Sequence, residues 1–387
     1  MEHKYFDCTY ISEGGEMRLY SKEFADMLDR IMIDGKSYPP KNHVSDFDFD
    51  DYYSVRLIFK EGVEPINLSN FFRSSNIVSI NNTNIDFSNV RDMSEMFSYC
   101  QSLESLEGLR NWDVSKVEDM SKMFFFCKSL KNLEGLQNWD VSNVQGMSNM
   151  FIFCQSLENL EGLQNWDVSN VEDMSYMFKS CDFLKNLEGL RNWDVSKVYG
   201  MSYMFSHCES IENLEGLQNW DVSNVLGISY MFSHCQSIEN LEGLRNWNVT
   251  KVVDMSHVFN NCQSLENLEG LRNWNVSNVQ DMSRMFYFCR SLENLEGLRN
   301  WDIFNVKDNK GMFSECPKLG SRAFSSVTLR TIISRKKDLI EFFIKSHVCP
   351  EGLRMEYKKM KHTIEVRAFY DEIIAEESQT EGKGMKR

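Results

Sequence analysis

Residues 165–191 read NWDVSNVEDMSYMFKSCDFLKNLEGLR, and close variants of this 27-residue stretch recur along most of the 387-residue chain. All eight tryptophans are spaced 27 residues apart: Trp112, Trp139, Trp166, Trp193, Trp220, Trp247, Trp274 and Trp301. Nine of the eleven cysteines keep the same interval: Cys100, Cys127, Cys154, Cys181, Cys208, Cys235, Cys262, Cys289 and Cys316. A fixed period of roughly 20–50 residues is typical of a solenoid, in which each repeat packs on its neighbours.

Residues that stand 27 positions apart form what we call a column, and most columns repeat one residue type. The Trp, Phe, Leu, Val and Met columns are expected to stack into one continuous core, with offset contacts between the rings. The glycine column, which runs from Gly108 to Gly297, marks a corner that needs a positive φ or a close backbone approach. The asparagine column predicts amide side chains that satisfy backbone groups in a turn: Asn111, Asn138, Asn165, Asn192, Asn219, Asn246, Asn273 and Asn300.

Within one repeat the apolar residues fall three apart, which fits neither a long helix nor a half-buried strand. We therefore predict short parallel strands near residues 171–174 and 187–190. A single turn of helix or 3₁₀ helix at 175–181 would join them. The predicted fold is a leucine-rich-repeat-like, right-handed, β-rich solenoid of about nine coils, and helix-pair solenoids rank second because 27 residues are too few for two helices with their turns.

The regions outside the repeats predict four further segments. Residues 1–65 are interpreted as an α+β N-terminal cap, with a hairpin around the Glu-Gly-Gly turn and an amphipathic helix that follows Ser21. Residues 66–84 resemble a degenerate capping repeat, and the solenoid proper occupies 85–320. A mainly helical C-terminal region is predicted at 321–377, followed by a disordered tail at 378–387.

The formal net charge of -15 disfavours nucleic acid as a partner, because phosphate binding needs clustered Lys and Arg. The first residues show no secretory signal, and no run of 18 apolar residues predicts a membrane span.

An odd number of cysteines in one column cannot pair completely. We therefore interpret them as small, buried, free residues and expect an intracellular, reducing compartment, with a disulfide ladder as the alternative.

Two groups of residues resemble metal sites, and both are disfavoured. Asp46, Asp48 and Asp50 have the spacing of a calcium loop, but Asp51 and Leu57 stand where that loop needs Gly and Glu. The pairs His207–Cys208 and His234–Cys235 offer zinc ligands, yet neighbouring residues on an extended chain point in opposite directions. No nucleophile–base pair, phosphate loop or HExxH motif is present. We therefore expect no enzyme, no cofactor, no metal and no small-molecule substrate.

The repeated glutamates have a structural interpretation. They are expected to form a solvated salt-bridge ladder with a neighbouring column of Arg and Gln, and a face lined by cations is the alternative. The glutamates are Glu107, Glu134, Glu161, Glu188, Glu215, Glu242, Glu269 and Glu296.

Two columns vary along the chain, so we expect their side chains to face water. In the central coils they carry aromatic and apolar residues, which typically mark an interaction site. A third variable set, Phe125–Phe126, Ile152–Phe153 and Tyr287–Phe288, allows the same interpretation or partial burial. The hypothetical partner-binding residues are Tyr176, Tyr199, Tyr203, Leu226, Tyr230 and His257.

The motif VSNVxDMSxMFxxCxSLENLEGLxNWD resembles the BspA-like leucine-rich repeat family, over about residues 85–319. It looks like the subfamily whose units read W-D-x-S-N-V-x-D-M-S-x-M-F-x-x-C-x-S-L. That family includes bacterial surface lipoproteins, protist surface proteins and members encoded by large DNA viruses. The resemblance implies protein–protein interaction or adhesion and transfers no catalytic residues. We find no signal peptide or lipid-attachment cysteine like those of the surface members, which favours an intracellular or a virus-encoded member. A virus-encoded member would be expected in the virion or the host cytoplasm.

These observations predict a non-enzymatic scaffold that binds a protein partner without inserting into a membrane. Two alternatives remain open at this point. One is an adhesin for a host protein or glycan. The other is an adaptor in which an end region recruits a second partner.

Overall fold

The computed structural model describes residues 3–319. The helical region predicted at 321–377 and the tail predicted at 378–387 lie outside this range. The described residues form a repeat solenoid that begins with a β-sheet unit, and one cluster of buried side chains runs through both parts.

The N-terminal unit consists of antiparallel strands. A five-stranded sheet has the order β4-β3-β6-β1-β7, and β2 pairs with β5 in a separate two-stranded sheet. The strands are β1 (Tyr5–Ile11), β2 (Glu16–Arg18), β3 (Leu28–Ile33), β4 (Lys36–Tyr38), β5 (His43–Ser45), β6 (Tyr52–Phe59) and β7 (Ile77–Thr83).

The amphipathic helix predicted after Ser21 is wrong. Residues Lys22–Met27 form a short 3₁₀ helix, and the rest of the predicted helix is β3. Leu28, Ile31 and Ile33 are buried where β3 pairs with β6, so a contact with a distant segment overrides local helix propensity.

The predicted N-terminal hairpin is only partly formed. Gly14 and Gly15 have positive φ values of 64° and 81° and close a tight turn, in which Glu13 bridges Glu16. The two flanking strands then separate, because β1 pairs with β6 and β7 while β2 pairs with β5.

Strand β7 connects the sheet to the solenoid. It pairs with β1 in the N-terminal sheet, and its Ser79 forms a parallel bridge with Ser105 in the following coil. Asn67 forms a second parallel bridge, with Asp92. The sheet therefore covers the first coil and closes that end of the core.

One stretch of each coil, residues 173–181 in the central repeat, carries most hydrogen bonds to the next coil. The amides of Met174, Tyr176, Phe178 and Ser180 donate at 2.8–3.0 Å to carbonyls 26 residues further along the chain. The amides of Met177, Lys179 and Cys181 donate three residues back within their own coil, as in successive β-turns, and that of Ser175 donates to the Oδ1 of Asp173. Neighbouring coils are also joined by parallel bridges between single residues, for example Asp173 with Gly200.

This pattern corrects the predicted strand at 171–174 and the predicted helical turn at 175–181. The bridge at Asp173 is a single residue, and the following turns place Tyr176 and Ser180 at φ values of 63° and 59°. Since alternate amides point toward the next coil, the segment cannot close the intrahelical bonds of a helix.

The strand predicted at 187–190 is also wrong, because Glu188–Leu190 is a 3₁₀ turn. A Cβ atom at Gly189 would lie 2.1 Å from the carbonyl oxygen of Leu160, so the glycine permits close packing of two coils. The same turn recurs at Glu107–Leu109, Glu161–Leu163, Glu215–Leu217, Glu242–Leu244, Glu269–Leu271 and Glu296–Leu298.

The core consists of stacked columns, as the repeat period predicts. Trp166 lies between Trp139 and Trp193 with ring centroids 6.3 and 6.5 Å away and planes within 3° of parallel. Its Nε1 donates to the carbonyl oxygen of Leu136 at 2.9 Å. Each coil therefore packs almost as a translated copy of the previous one.

The asparagine ladder occupies a different column from the predicted one. Asn165 is exposed, whereas the Nδ2 of Asn170 donates to the carbonyl oxygen of Ser142 in the preceding coil at 2.7 Å. The same bond recurs at Asn143, Asn224, Asn278 and Asn305.

Candidate functional site

The variable columns lie on one side of the solenoid, along the stretch that holds the coils together. We call this side the variable face and define it in the central repeat as residues 172–182. Met174, Met177 and Phe178 point from this stretch into the core, whereas Tyr176 and Lys179 are half-buried at its surface. The face therefore has a fixed backbone and side chains that differ from coil to coil.

Four of the predicted partner-binding residues form one continuous stack, which we call the tyrosine stack: Tyr176, Tyr203, Tyr230 and His257. The ring centroids of successive residues lie 4.6, 4.5 and 4.1 Å apart, and their planes are within 8° of parallel. The Nζ of Lys179 lies 5.1 Å from the centroid of Tyr203 and 5.5 Å from that of Tyr176.

The stacking determines what the tyrosine stack presents to a ligand. Because each inner ring is covered on both faces by its neighbours, its edge and its hydroxyl are the parts left to contact a partner. The pKa of Tyr203 is raised, chiefly by burial and then by its neighbours Tyr230 and Tyr176. The hydroxyl therefore stays protonated at neutral pH and is able to donate a hydrogen bond.

The other two predicted residues, Tyr199 and Leu226, lie beside the stack with Val253. We call these three residues the apolar column. Their exposed fractions are 48%, 52% and 39%, which makes them the most exposed apolar side chains of the central coils after Phe183. Their amides are paired along the solenoid, Leu226 to Tyr199 and Val253 to Leu226, at 3.0 Å each.

Two glycines separate the apolar column from the tyrosine stack, and sequence reasoning did not single them out. Gly200 and Gly227 occupy positions where the flanking coils carry Asp173 and Asp254. A Cβ at Gly227 would meet only the Oγ of Ser202, at 3.5 Å, so neither backbone conformation nor packing requires a glycine there, whereas a Cβ at Gly200 would lie 2.6 Å from the Oδ1 of Asp173. At these two coils no side chain therefore stands between the apolar column and the tyrosine stack.

His207 and His234 form a second stack on the same coils, with ring centroids 4.1 Å apart. Burial lowers the pKa of both; Lys179 contributes for His207, and His207 contributes for His234. Asn261 contacts the Nδ1 of His234 at 2.9 Å. Both imidazoles are therefore neutral at pH 7.

The zinc interpretation of these histidines fails on geometry. Cys208 and Cys235 point into the core, where each thiol lies 3.1 Å from a phenylalanine carbonyl oxygen, while the two imidazoles stack at the surface. Among residues 3–319, no three His, Cys, Asp or Glu side chains lie close enough together to hold a metal ion.

The third variable set lies in two aromatic clusters on either side of the central coils. Phe126 packs 5.4 Å from Phe153 in one cluster, with the Nζ of Lys128 4.5 Å above its ring. In the other, the guanidinium of Arg290 lies 4.2 Å from the ring of Phe288. Both clusters are half-buried and covered by cationic side chains, unlike the apolar column.

The glutamate column forms ion pairs inside single coils. Arg191 pairs with Glu188 and Arg245 pairs with Glu242, in each case three residues apart on one 3₁₀ turn. These surface pairs are solvated, and each contributes little to stability.

All described cysteines are buried and free. The thiol of Cys181 donates to the carbonyl oxygen of Phe151 at 3.3 Å, and the same bond recurs along the column from Cys127 to Cys316. Burial raises the pKa of Cys181, so its thiol remains neutral and is not available as a nucleophile.

None of the helices within residues 3–319 has the length and apolar character needed to cross a membrane. No curated protein matches the chain. One family model matches three overlapping segments, 66–185, 153–242 and 236–337, which together cover more than half of the chain and include the whole variable face. With its repeated coils and this coverage, the chain belongs to the repeat family described as Mycoplasma protein of unknown function, DUF285.

Proposed function

We propose that this protein is a non-enzymatic scaffold that binds a protein partner through the central coils of its variable face. The observation that supports this most strongly is the apolar column. Three large apolar side chains are exposed on consecutive coils, in a chain whose other coils carry Arg, Glu, Gln or Lys in that column. An exposed apolar cluster beside hydrogen-bonding groups is typical of a protein interface.

The structure also favours a protein over a glycan. Sugars pack against the open faces of aromatic rings, whereas the rings of the tyrosine stack cover one another. Phenol edges and hydroxyls beside Tyr199 and Leu226 offer hydrogen bonds and apolar contact together, which suits polypeptide. We infer further that the chain is a BspA-like member. Its thiols are reduced in the folded chain, because they donate to carbonyls inside the core.

An affinity capture experiment tests the proposal. Immobilised full-length chain is compared with the double variant Tyr199→Ser/Leu226→Ser. Both residues are about half exposed and lie outside the stacks, so the variant should fold normally. The matched control is Asn165→Ser/Asn192→Ser, which changes two exposed residues on consecutive coils away from the variable face.

We expect to capture a protein that binds the wild type and the control. Its recovery with the surface variant should fall at least about tenfold, which corresponds to the loss of one central interface residue or more. Bound proteins are identified by mass spectrometry, and circular dichroism checks the fold of each variant. Equal recovery with a folded surface variant contradicts the proposal.

A further inference from the structure

Several positions of the variable face carry the same residue on either side of one point, although other positions differ. That midpoint lies halfway between the coil of Tyr203 and the coil of Tyr230. Moving outward on either side, one meets a histidine, a glycine, an aspartate and then a phenylalanine at equivalent column positions. The pairs are His207 with His234, Gly200 with Gly227, Asp173 with Asp254, and Phe153 with Phe288.

The face is also close to flat along the solenoid. From Trp139 to Trp274, the planes of successive tryptophans differ by 0–4°, so one coil is tilted very little against the next. Another surface with the same spacing between coils can contact such a face in register along its whole length. A second copy of the chain has this spacing.

A two-fold axis that lies in the face, crosses the midpoint and is perpendicular to the solenoid would bring these equivalent positions together. Two copies would then run antiparallel, and each residue would meet its equivalent from the other side of the midpoint, as in an isologous interface. The facing apolar and aromatic pairs would be Tyr203 with Tyr230, Tyr199 with Leu226, Tyr176 with His257, and Phe153 with Phe288.

The charges of the face agree with this register. Glu118 would face Lys307; both are exposed, Glu118 also pairs with Arg91 at 2.8 Å, and Lys307 also donates to Gln280 at 2.8 Å. Each remaining cationic or acidic side chain in the variable columns of the central six coils would face a neutral one. These pairs are Lys179 with Asn260, Arg284 with Asn149, Arg290 with Gln155, Glu172 with Val253, Asp182 with Gln263, and Glu209 with Gln236.

Within the described part of the face, like charges would meet only in the column of single-residue bridges, where Asp173 faces Asp254 and Asp119 faces Asp308. These carboxylates are already held by their own coils. The Oδ1 of Asp173 accepts the amide of Ser175 at 2.9 Å, and equivalent bonds at 2.7–2.8 Å hold the other three. The histidines near the axis carry no charge at pH 7, because burial lowers the pKa of both. Although the whole chain has a net charge of -15, two copies of this face can therefore meet with little repulsion between like charges.

We propose that the partner bound by the variable face is a second copy of this chain, docked antiparallel about that two-fold axis. This rests on the proposed function, since it identifies the partner of the same face. The apolar column and the tyrosine stack form the centre of the interface, and the two Glu118–Lys307 contacts lie toward its ends.

The test is the mass of the purified full-length chain in solution, measured by sedimentation velocity over a range of concentrations. We expect a species of twice the 45.4 kDa of one chain, which dissociates on dilution. Leu226→Asp should shift the mass to that of the monomer. Leu226 is 52% exposed, so this variant should keep the wild-type circular dichroism spectrum.

A charge exchange tests the register. Glu118→Lys alone and Lys307→Glu alone each place like charges together twice per dimer and should weaken the dimer about fivefold. The double variant Glu118→Lys/Lys307→Glu restores opposite charges across the axis and should return to wild-type affinity. Glu134→Lys, an exposed change away from the face, is the matched control and should leave the affinity unchanged.

A wild-type chain that is monomeric at every concentration overturns the proposal, and so does a dimer that survives Leu226→Asp. A dimer whose double variant is no stronger than the single variants overturns the antiparallel register. If the chain is monomeric while Tyr199→Ser/Leu226→Ser still loses a captured protein, the proposed function stands with a different partner. If neither effect is seen, both proposals fail.

Discussion

Trp166→Ala is the change that most directly tests how the solenoid is held together. The side chain is only 3% exposed and stacks on a tryptophan on each side. Truncating a buried tryptophan to alanine costs about 3–5 kcal/mol. The loss of the Nε1 bond to the carbonyl oxygen of Leu136 adds about 1 kcal/mol, because that buried acceptor loses its partner. We expect the free energy of unfolding to fall by about 5 kcal/mol.

Which coils are destabilised is as informative as the total loss of stability. Solenoid stability is a sum of repeat and nearest-neighbour terms, so the loss should be concentrated in the coils of Trp139, Trp166 and Trp193. Hydrogen exchange with mass spectrometry measures protection coil by coil, and urea titration gives the total. Trp166→Phe is the control, since it keeps an aromatic ring in the column, loses the donor and should cost less.

Two results would refute this reasoning. If protection decreased evenly from the first coil to the last, the array would unfold as one unit and nearest-neighbour coupling would be wrong. If Trp166→Phe destabilised the chain as much as the alanine variant, the bond to Leu136 would dominate and the ring stack would contribute little.

Three further predictions follow from the same contacts. Gly216→Ala should destabilise strongly, since its Cβ would lie 2.1 Å from the carbonyl oxygen of Leu187, whereas Gly227→Ala should be nearly neutral in a thermal melt; equal effects would contradict the packing described for the glycine column. His207 and His234 have a lowered pKa when folded, so the unfolded chain binds more protons below about pH 6.5. Stability should therefore decrease as the pH falls through that value, and a double Gln variant should lose this part of the pH dependence in urea titrations. Thiol counting on the chain unfolded without reductant should find most cysteines reactive, and a count near one or three would indicate a disulfide ladder.

The period of the sequence predicts the core but does not determine the local backbone. Trp166, Phe178 and Cys181 are buried because each must pack on its own copies, and this requirement is visible as repetition at 27 residues. Residues 187–190 have the apolar pattern of a strand, yet the approach of Gly189 to the preceding coil produces a 3₁₀ turn. The repeated glycine indicated a close approach at this corner, but it did not indicate that the corner is a 3₁₀ turn.

The candidate site shows the same division. Variation in a column correctly indicated which positions are outside the core, including Tyr199 and Leu226. The direction of the rings was not predictable, because it depends on a positive φ at Tyr176 and its equivalents, a conformation that side chains other than Gly, Asn and Asp rarely adopt. Gly200 and Gly227 were not recognised from the sequence, because a glycine in a turn is usually attributed to a backbone requirement.

The left-handed backbone of the tyrosine column also explains why its aromatic residues point to function. A residue other than glycine at positive φ costs about 1–2 kcal/mol, and every described coil bears this cost except the last, where Gly311 stands. In the first coils, members of the column form ion pairs: Lys122 lies 3.5 Å from Glu95 in the same column, and Glu95 also contacts Arg73 outside it. In the central coils, Tyr176 and its equivalents stack instead.

Contacts of either kind join one coil to the next, so the fold does not require tyrosine in the centre. The two kinds of contact differ in the surface that they leave exposed, because ion pairs keep the surface solvated and ring edges make it apolar. A partner that binds this face therefore best explains why tyrosine occupies the column in the central coils.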